Sequence, residues 1–140
     1  MIKLPVSIII PVRNDKRIFR CVESIAGIVD VIIIFNGKYS KYIENKLKNK
    51  ANVRFFYLAE LNFSKIYNIG IKEAKENNIF YMDSDCVFVK GALSKLIKYV
   101  SEYPIVKGRV DFAYNNFFQK IIAKNREFTT SDIPNLYIPG

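Results

Sequence analysis

The 140 residues suit a single domain, 1–140, and with half of them hydrophobic and 14% aromatic they exclude a chain disordered over most of its length. The 22 Lys and Arg against 13 Asp and Glu give a net charge of +9, a surface that favours anionic partners such as nucleotides, phosphates or acidic headgroups. Histidine is absent, which excludes His-based acid–base catalysis and His-ligated zinc within the chain and leaves hard ions on oxygen ligands, Mg2+ or Mn2+, as the metals it suits.

The start, "MIKLPVSIIIPV", has one early Lys and no small-residue cleavage site, so it reads as a first strand and not a signal peptide. No apolar run reaches the ~18–20 residues of a membrane span. "VSIIIPV" (6–12) is a continuous β-branched run, the pattern of a strand covered on both faces. Ile18, Cys21, Val22 and Ile25 then recur at helical spacing. "VDVIIIF" (29–35) is a second buried strand, and Tyr42, Ile43 and Leu47 mark a short basic helix after it. The basic stretch 38–50 has two readings, a solvated helix face or attraction to a membrane surface.

"VRFFYL" (53–58) is a third strand. Residues 62–77 carry Ile66, Ile69 and Ala74 at near-helical spacing, although Gly70 weakens that helix by up to ~1 kcal/mol relative to Ala. "IFYM" (79–82) is a fourth strand, and 91–102 an amphipathic helix with Leu93, Leu96, Ile97 and Val100 on one face. Residues 105–112 are expected as a fifth strand and 115–125 as another short helix. The last dozen residues have loop composition and stop abruptly, so the domain is expected to be cut short at its C-terminus. Strands alternating with helices, and too apolar to face water, predict an α/β fold: a doubly wound, mostly parallel sheet with helices on both faces.

In such a sheet ligands bind outside the carboxyl ends of the strands. The first strand ends in "PVRN", the second in "FNGK" and the fourth in "DSD", which gathers Arg13, Asn14, Asn36, Lys38, Asp83 and Asp85 at one edge. Each has a purely structural alternative. Asn14 and Asp15 can cap the first helix, "NG" at 36–37 is a common turn, and an Asp after a strand is often a turn residue. Two Asp at i and i+2 argue for more. In an extended segment both point the same way, and their repulsion is relieved by a cation between them. A divalent ion would bridge a carboxylate to nucleotide phosphates, with Arg13 and Lys65 balancing the remaining charge. Cys21 and Cys86 make no disulfide framework and read as buried thiols in a reducing compartment.

"VSIIIPVRN", the strand ending at "NG", "NFSKIYNIGIKEAKENN" with its Asn68, Gly70 and Ala74, and "IFYMDSDCVF" stand in the order and spacing of family 2 glycosyltransferases, which the chain resembles over roughly residues 5–100. The resemblance implies a GT-A, Rossmann-like fold and transfer of a sugar from a nucleotide diphosphate to an acceptor hydroxyl, in the cytoplasm, with possible peripheral membrane attachment. It implies Pro11, Arg13 and Asn14 along the nucleotide pocket, Lys65 and Asn68 near ribose and diphosphate, Asp83 on the nucleotide and Asp85 on Mn2+ or Mg2+. Two departures stand out. Phe35 and Asn36 occupy positions where the family carries an acidic pair, which leaves Asn36 to hydrogen-bond base or ribose and Lys38 to touch phosphate. Glu127 and Asp132 are the late carboxylates after Asp111, and neither sits in a motif, so no catalytic base is assigned. Those departures leave a second reading, a non-catalytic nucleotide-binding or partner protein that kept the fold. No nucleic-acid partner is expected, since the aromatics fall mostly at core positions and form no basic stacking platform. The lack of a Gly-rich phosphate loop argues against the P-loop and dinucleotide-binding classes.

Overall fold

The run VSIIIPV lies within β1 (Lys3–Val12), and the cause of its largely apolar character, broken only by Ser7, is two-sided burial. Val6, Ile8 and Ile10 are fully buried in one cluster, and Ile9, equally buried, in another. This computed structural model describes residues 3–25, 28–108 and 110–127. The chain divides into two compact units, residues 1–104 and 105–140.

In the first unit, β2 (Ile28–Asn36) pairs parallel to one side of β1, with β3 (Val53–Leu58) beyond it. On the other side of β1 lies β4 (Asn78–Tyr81), also parallel, so the order is β3-β2-β1-β4. Helices cover both faces, as the sequence predicts. α1 (Ile18–Glu23), α2 (Lys41–Leu47) and α4 (Ala92–Val100) bring Ile18, Cys21, Ile43, Leu47 and Leu93 onto the face formed by Ile8, Ile10, Ile33 and Phe35. α3 (Phe63–Glu73) covers the other, its Ile66 meeting Ile9, Ile32 and Ile34.

α3 approaches the sheet closely. A Cβ on Gly70 would stand 2.5 Å from the Cδ1 atom of Ile9, so the glycine that weakens the helix also permits its contact with β1. The helix ends at Glu73, short of the expected 77, for a visible reason. The next amides leave the helical ladder: Lys75 N–H donates to Ser7 Oγ and Asp30 Oδ2, both at 3.1 Å, and Glu76 N–H to Ser7 Oγ at 3.1 Å.

The connections β1–β2 and β2–β3 step outward in one direction, and α3 then carries the chain back across to β4. The strand order therefore reverses beside β1, which makes its carboxyl end the switch point of the sheet. Pro11 sharpens that end. The Ile9 carbonyl still accepts the Met82 N–H at 3.1 Å, but two residues later Pro11 has no N–H to offer on the same side, so pairing with β4 stops.

In the second unit, α5 (Phe117–Glu127) matches the expected helix, with Asn116 Oδ1 accepting the Gln119 N–H at 2.9 Å in its first turn. The expected fifth strand does not form among the described residues of 105–112. Lys107, Gly108 and Asp111 interrupt the apolar run, and Ile105 remains 87% exposed, so the segment buries too little to hold a strand there.

Candidate functional site

Two loops build the site, one after β1 and one after β4. After Val12 the chain turns through Asn14, whose φ of 51° is a left-handed conformation that Asn tolerates better than most residues. Asp15 then bends toward Arg17. Its Oδ1 accepts the backbone N–H of Arg17 at 2.9 Å, and both carboxylate oxygens accept Arg17 Nε–H at 3.0 Å. The Arg17 guanidinium beside Asp15 holds that carboxyl below the usual range, its hydrogen bonds outweighing the opposing effect of partial burial.

After β4, buried Met82 keeps its bond to β1 and the chain leaves the sheet. The extended geometry in which both carboxylates would point the same way is not adopted. The Cys86 N–H donates to the Asp83 carbonyl at 3.0 Å, so residues 83–86 form a turn, and it is the turn that brings the carboxylates together. Helix α1 fixes this turn from behind. The Cys21 thiol donates to the Asp83 carbonyl at 3.7 Å, while Ser24 Oγ donates to the Cys21 carbonyl at 2.6 Å and accepts the Phe88 N–H at 2.9 Å.

Ligand atoms of Asp83, Asp85 and Cys86 lie within 4.8 Å of one another. Burial pushes the Cys86 thiol up, and the neighbouring Asp85 and Asp83 charges push it the same way, so it stays protonated at neutral pH. Burial likewise lifts Cys21 to about 12. Two carboxylates with a neutral thiol beside them fit a hard, oxygen-seeking ion better than a soft one.

Between the loops lies a cleft of about 300 Å³. Of the residues expected to form the site, Pro11, Arg13, Asn36, Asp83 and Asp85 line it. Asn14, Lys38, Lys65 and Asn68 are exposed and do not line it. Lys65 is ion-paired with Glu60, and its backbone N–H donates to the capping Asn62 Oδ1 at 3.0 Å. Asn36 is 3% exposed, and its Oδ1 accepts the Asn62 N–H at 3.2 Å, which leaves its amide nitrogen as the uncommitted end of the side chain among the described residues.

Sequence reasoning misses Val12, Asp15, Arg17, Phe63 and Ser84 as cleft residues. Asp15 is not the N-cap of α1, which is Arg17 with no side-chain cap bond; it clamps Arg17 instead, a use encoded locally in the Asp-x-Arg spacing. Arg17 Nη1 also reaches Asp85 Oδ2 at 3.1 Å, and Ser84 Oγ donates to Asp15 Oδ2 at 3.4 Å. These contacts between loops have no local sequence signal. Of the late carboxylates, Asp132 lies outside the described residues.

Comparisons with known proteins agree with this architecture. The chain is similar to S. aureus TarS 1–349 at a TM-score of 0.60 and 21% identity, over 71% of this chain and 33% of that one. S. aureus TarS itself gives 0.57 and 22%, over 71% and 20% of the two chains. TarS 1–349 in complex with UDP gives 0.57 and 22%, over 71% and 32%. The chain thus spans a third or less of these TarS chains, and the likeness establishes the shared GT-A, all-parallel α/β fold. No curated protein matches the chain. The model of Glycosyl transferase family 2 matches residues 7–138, nearly the whole sequence, and the chain belongs to that family.

Proposed function

We propose that this chain carries the donor site of a nucleotide-sugar glycosyltransferase that works with a bound Mn2+ or Mg2+ ion and passes the sugar to an acceptor hydroxyl. The observation that carries this reading is the turn presenting Asp83 and Asp85 at the switch point of the sheet, in a cleft that Arg13 and Arg17 also line. Family membership supports the reaction class, and the UDP held by a TarS structure of the same fold supports a nucleoside diphosphate as ligand.

Asp83 and Asp85 are the residues that would hold the ion, Asp83 also contacting the nucleotide. Bound there, the ion supplies Lewis-acid stabilisation of the departing diphosphate. Arg13 and Arg17 add guanidinium donors suited to phosphate oxygens. Asn36 offers its amide nitrogen to the nucleoside, and Pro11 shapes the pocket wall. Asn14, Lys65 and Asn68 serve as outer donor contacts. In the transfer, the bond from the anomeric carbon to the phosphate oxygen breaks, the nucleoside diphosphate leaves with the electron pair, and the acceptor oxygen bonds to that carbon as its proton passes to a base. The acceptor is a glycan, lipid or protein hydroxyl. The net charge of +9 supports a cytoplasmic protein in peripheral contact with an anionic membrane face. Among the described residues no helix is long and apolar enough to cross a membrane.

Titration calorimetry with UDP and GDP, with and without Mn2+, tests this reading beside an Asp85→Ala variant. The expected result is binding of one nucleotide that requires Mn2+ and falls at least about tenfold in the variant, as loss of a metal ligand or its close support does. Failure of a folded protein to bind either nucleotide would leave the fold without a donor site and favour the non-catalytic reading.

A further inference from the structure

Resting on that donor-site reading, we propose that Arg17 is the resident cation of the acidic site: its guanidinium must release Asp85 before a divalent ion binds there, and, still held by Asp15, it then faces the diphosphate. The contacts divide unequally between the two carboxylates. Arg17 Nε donates to both Asp15 oxygens at 3.0 Å and Nη2 stands 2.8 Å from Asp15 Oδ2, whereas Asp85 Oδ2 receives only Nη1, at 3.1 Å. Breaking one contact therefore frees Asp85 while leaving the side chain anchored.

The pair with Asp85 is also weak enough to break. Its two side chains are 66% and 43% exposed, and an ion pair so open to water holds little net free energy. Removing Arg17 has two opposite consequences. Asp85 loses a competitor, which favours the metal, and the phosphate loses a donor, which disfavours the nucleotide. An arginine that only clipped the two loops together would, on removal, weaken both binding events.

Mn2+ binding to the full chain without nucleotide, counted from the free-ion EPR signal at low ionic strength, separates these cases. Arg17→Ala is expected to bind Mn2+ about two- to fivefold more tightly than wild type, the reach of one exposed ion pair. The Mn2+-loaded variant is expected to bind UDP about tenfold more weakly, the reach of one charged hydrogen bond. Arg17→Lys, which keeps the charge but not the fork, should fall between, and thermal melts check that all three proteins are folded. Mn2+ affinity unchanged or weakened in Arg17→Ala overturns the competition, and UDP affinity unchanged or strengthened overturns the phosphate contact. Mn2+ binding by neither protein overturns this proposal together with the donor-site reading. Wild type that binds Mn2+ but no UDP overturns the donor site and the phosphate contact, while the Mn2+ comparison still decides the competition at Asp85.

Discussion

A carboxylate inside a sheet is tolerated when its oxygens are fully engaged, and Asp30 meets that condition. Its Oδ2 accepts Ser7 Oγ–H at 2.6 Å and the Lys75 N–H at 3.1 Å, and Arg54 grips both oxygens at 2.9 Å. Burial alone would raise its pKa, but Ser7, the Lys75 amide and Arg54 together outweigh that and hold it below the usual carboxylate value. A depressed folded pKa contributes stability above the unfolded value, lost as pH falls through the folded one. Asp30→Ala should therefore lower stability by about 3 kcal/mol near pH 7. In urea unfolding, the gap between wild type and variant should begin to close below about pH 4. A gap independent of pH would assign the loss to packing and not to charge. The contrast with the cleft explains which residues are legible in the sequence. Pro11, Arg13, Asn36, Asp83 and Asp85 sit where strands end, and a strand's end is readable from its apolar run. Arg17 owes its role to a contact with Asp85 across the fold, which no local pattern announces.

Among the elements, α3 joins sequence pattern to packing most tightly. Gly70→Ala would favour an isolated helix by up to about 1 kcal/mol, yet here the new methyl meets fully buried Ile9, with its Cγ1 and Cγ2 both 2.7 Å away. Ile9 is β-branched and has no exposed side to swing into, so overpacking by about 1–3 kcal/mol should win. Chemical denaturation should show the variant less stable than wild type, and a more stable variant would contradict the observed closeness of α3 to β1. Strands and helices with long apolar periods are legible in order and in near-correct extent. Element ends are less so, because they depend on distant partners: α3 stops where Ser7 and Asp30 capture its next amides. The stretch 105–112 has strand-like residues, but composition alone does not secure a strand, and none forms among its described residues.

At the scale of the whole molecule, alternation of strands and helices is enough to give a doubly wound parallel sheet, since crossover connections between parallel strands run one way. The order β3-β2-β1-β4 is not legible, because the placement of β4 beside β1 depends on side-chain fit across the sheet. That placement puts the acidic turn opposite Arg13 and Arg17. The divalent cation proposed above would bind at this one edge of the sheet, and NMR line broadening by substoichiometric Mn2+ can locate it. Amide signals of Arg13, Asp15, Ser84 and Asp85 should broaden first, while those of Asn52 and Lys75, toward the other end of the strands, persist. Uniform broadening, or broadening that begins around Asn52 and Lys75, would rule out a cation site at this edge.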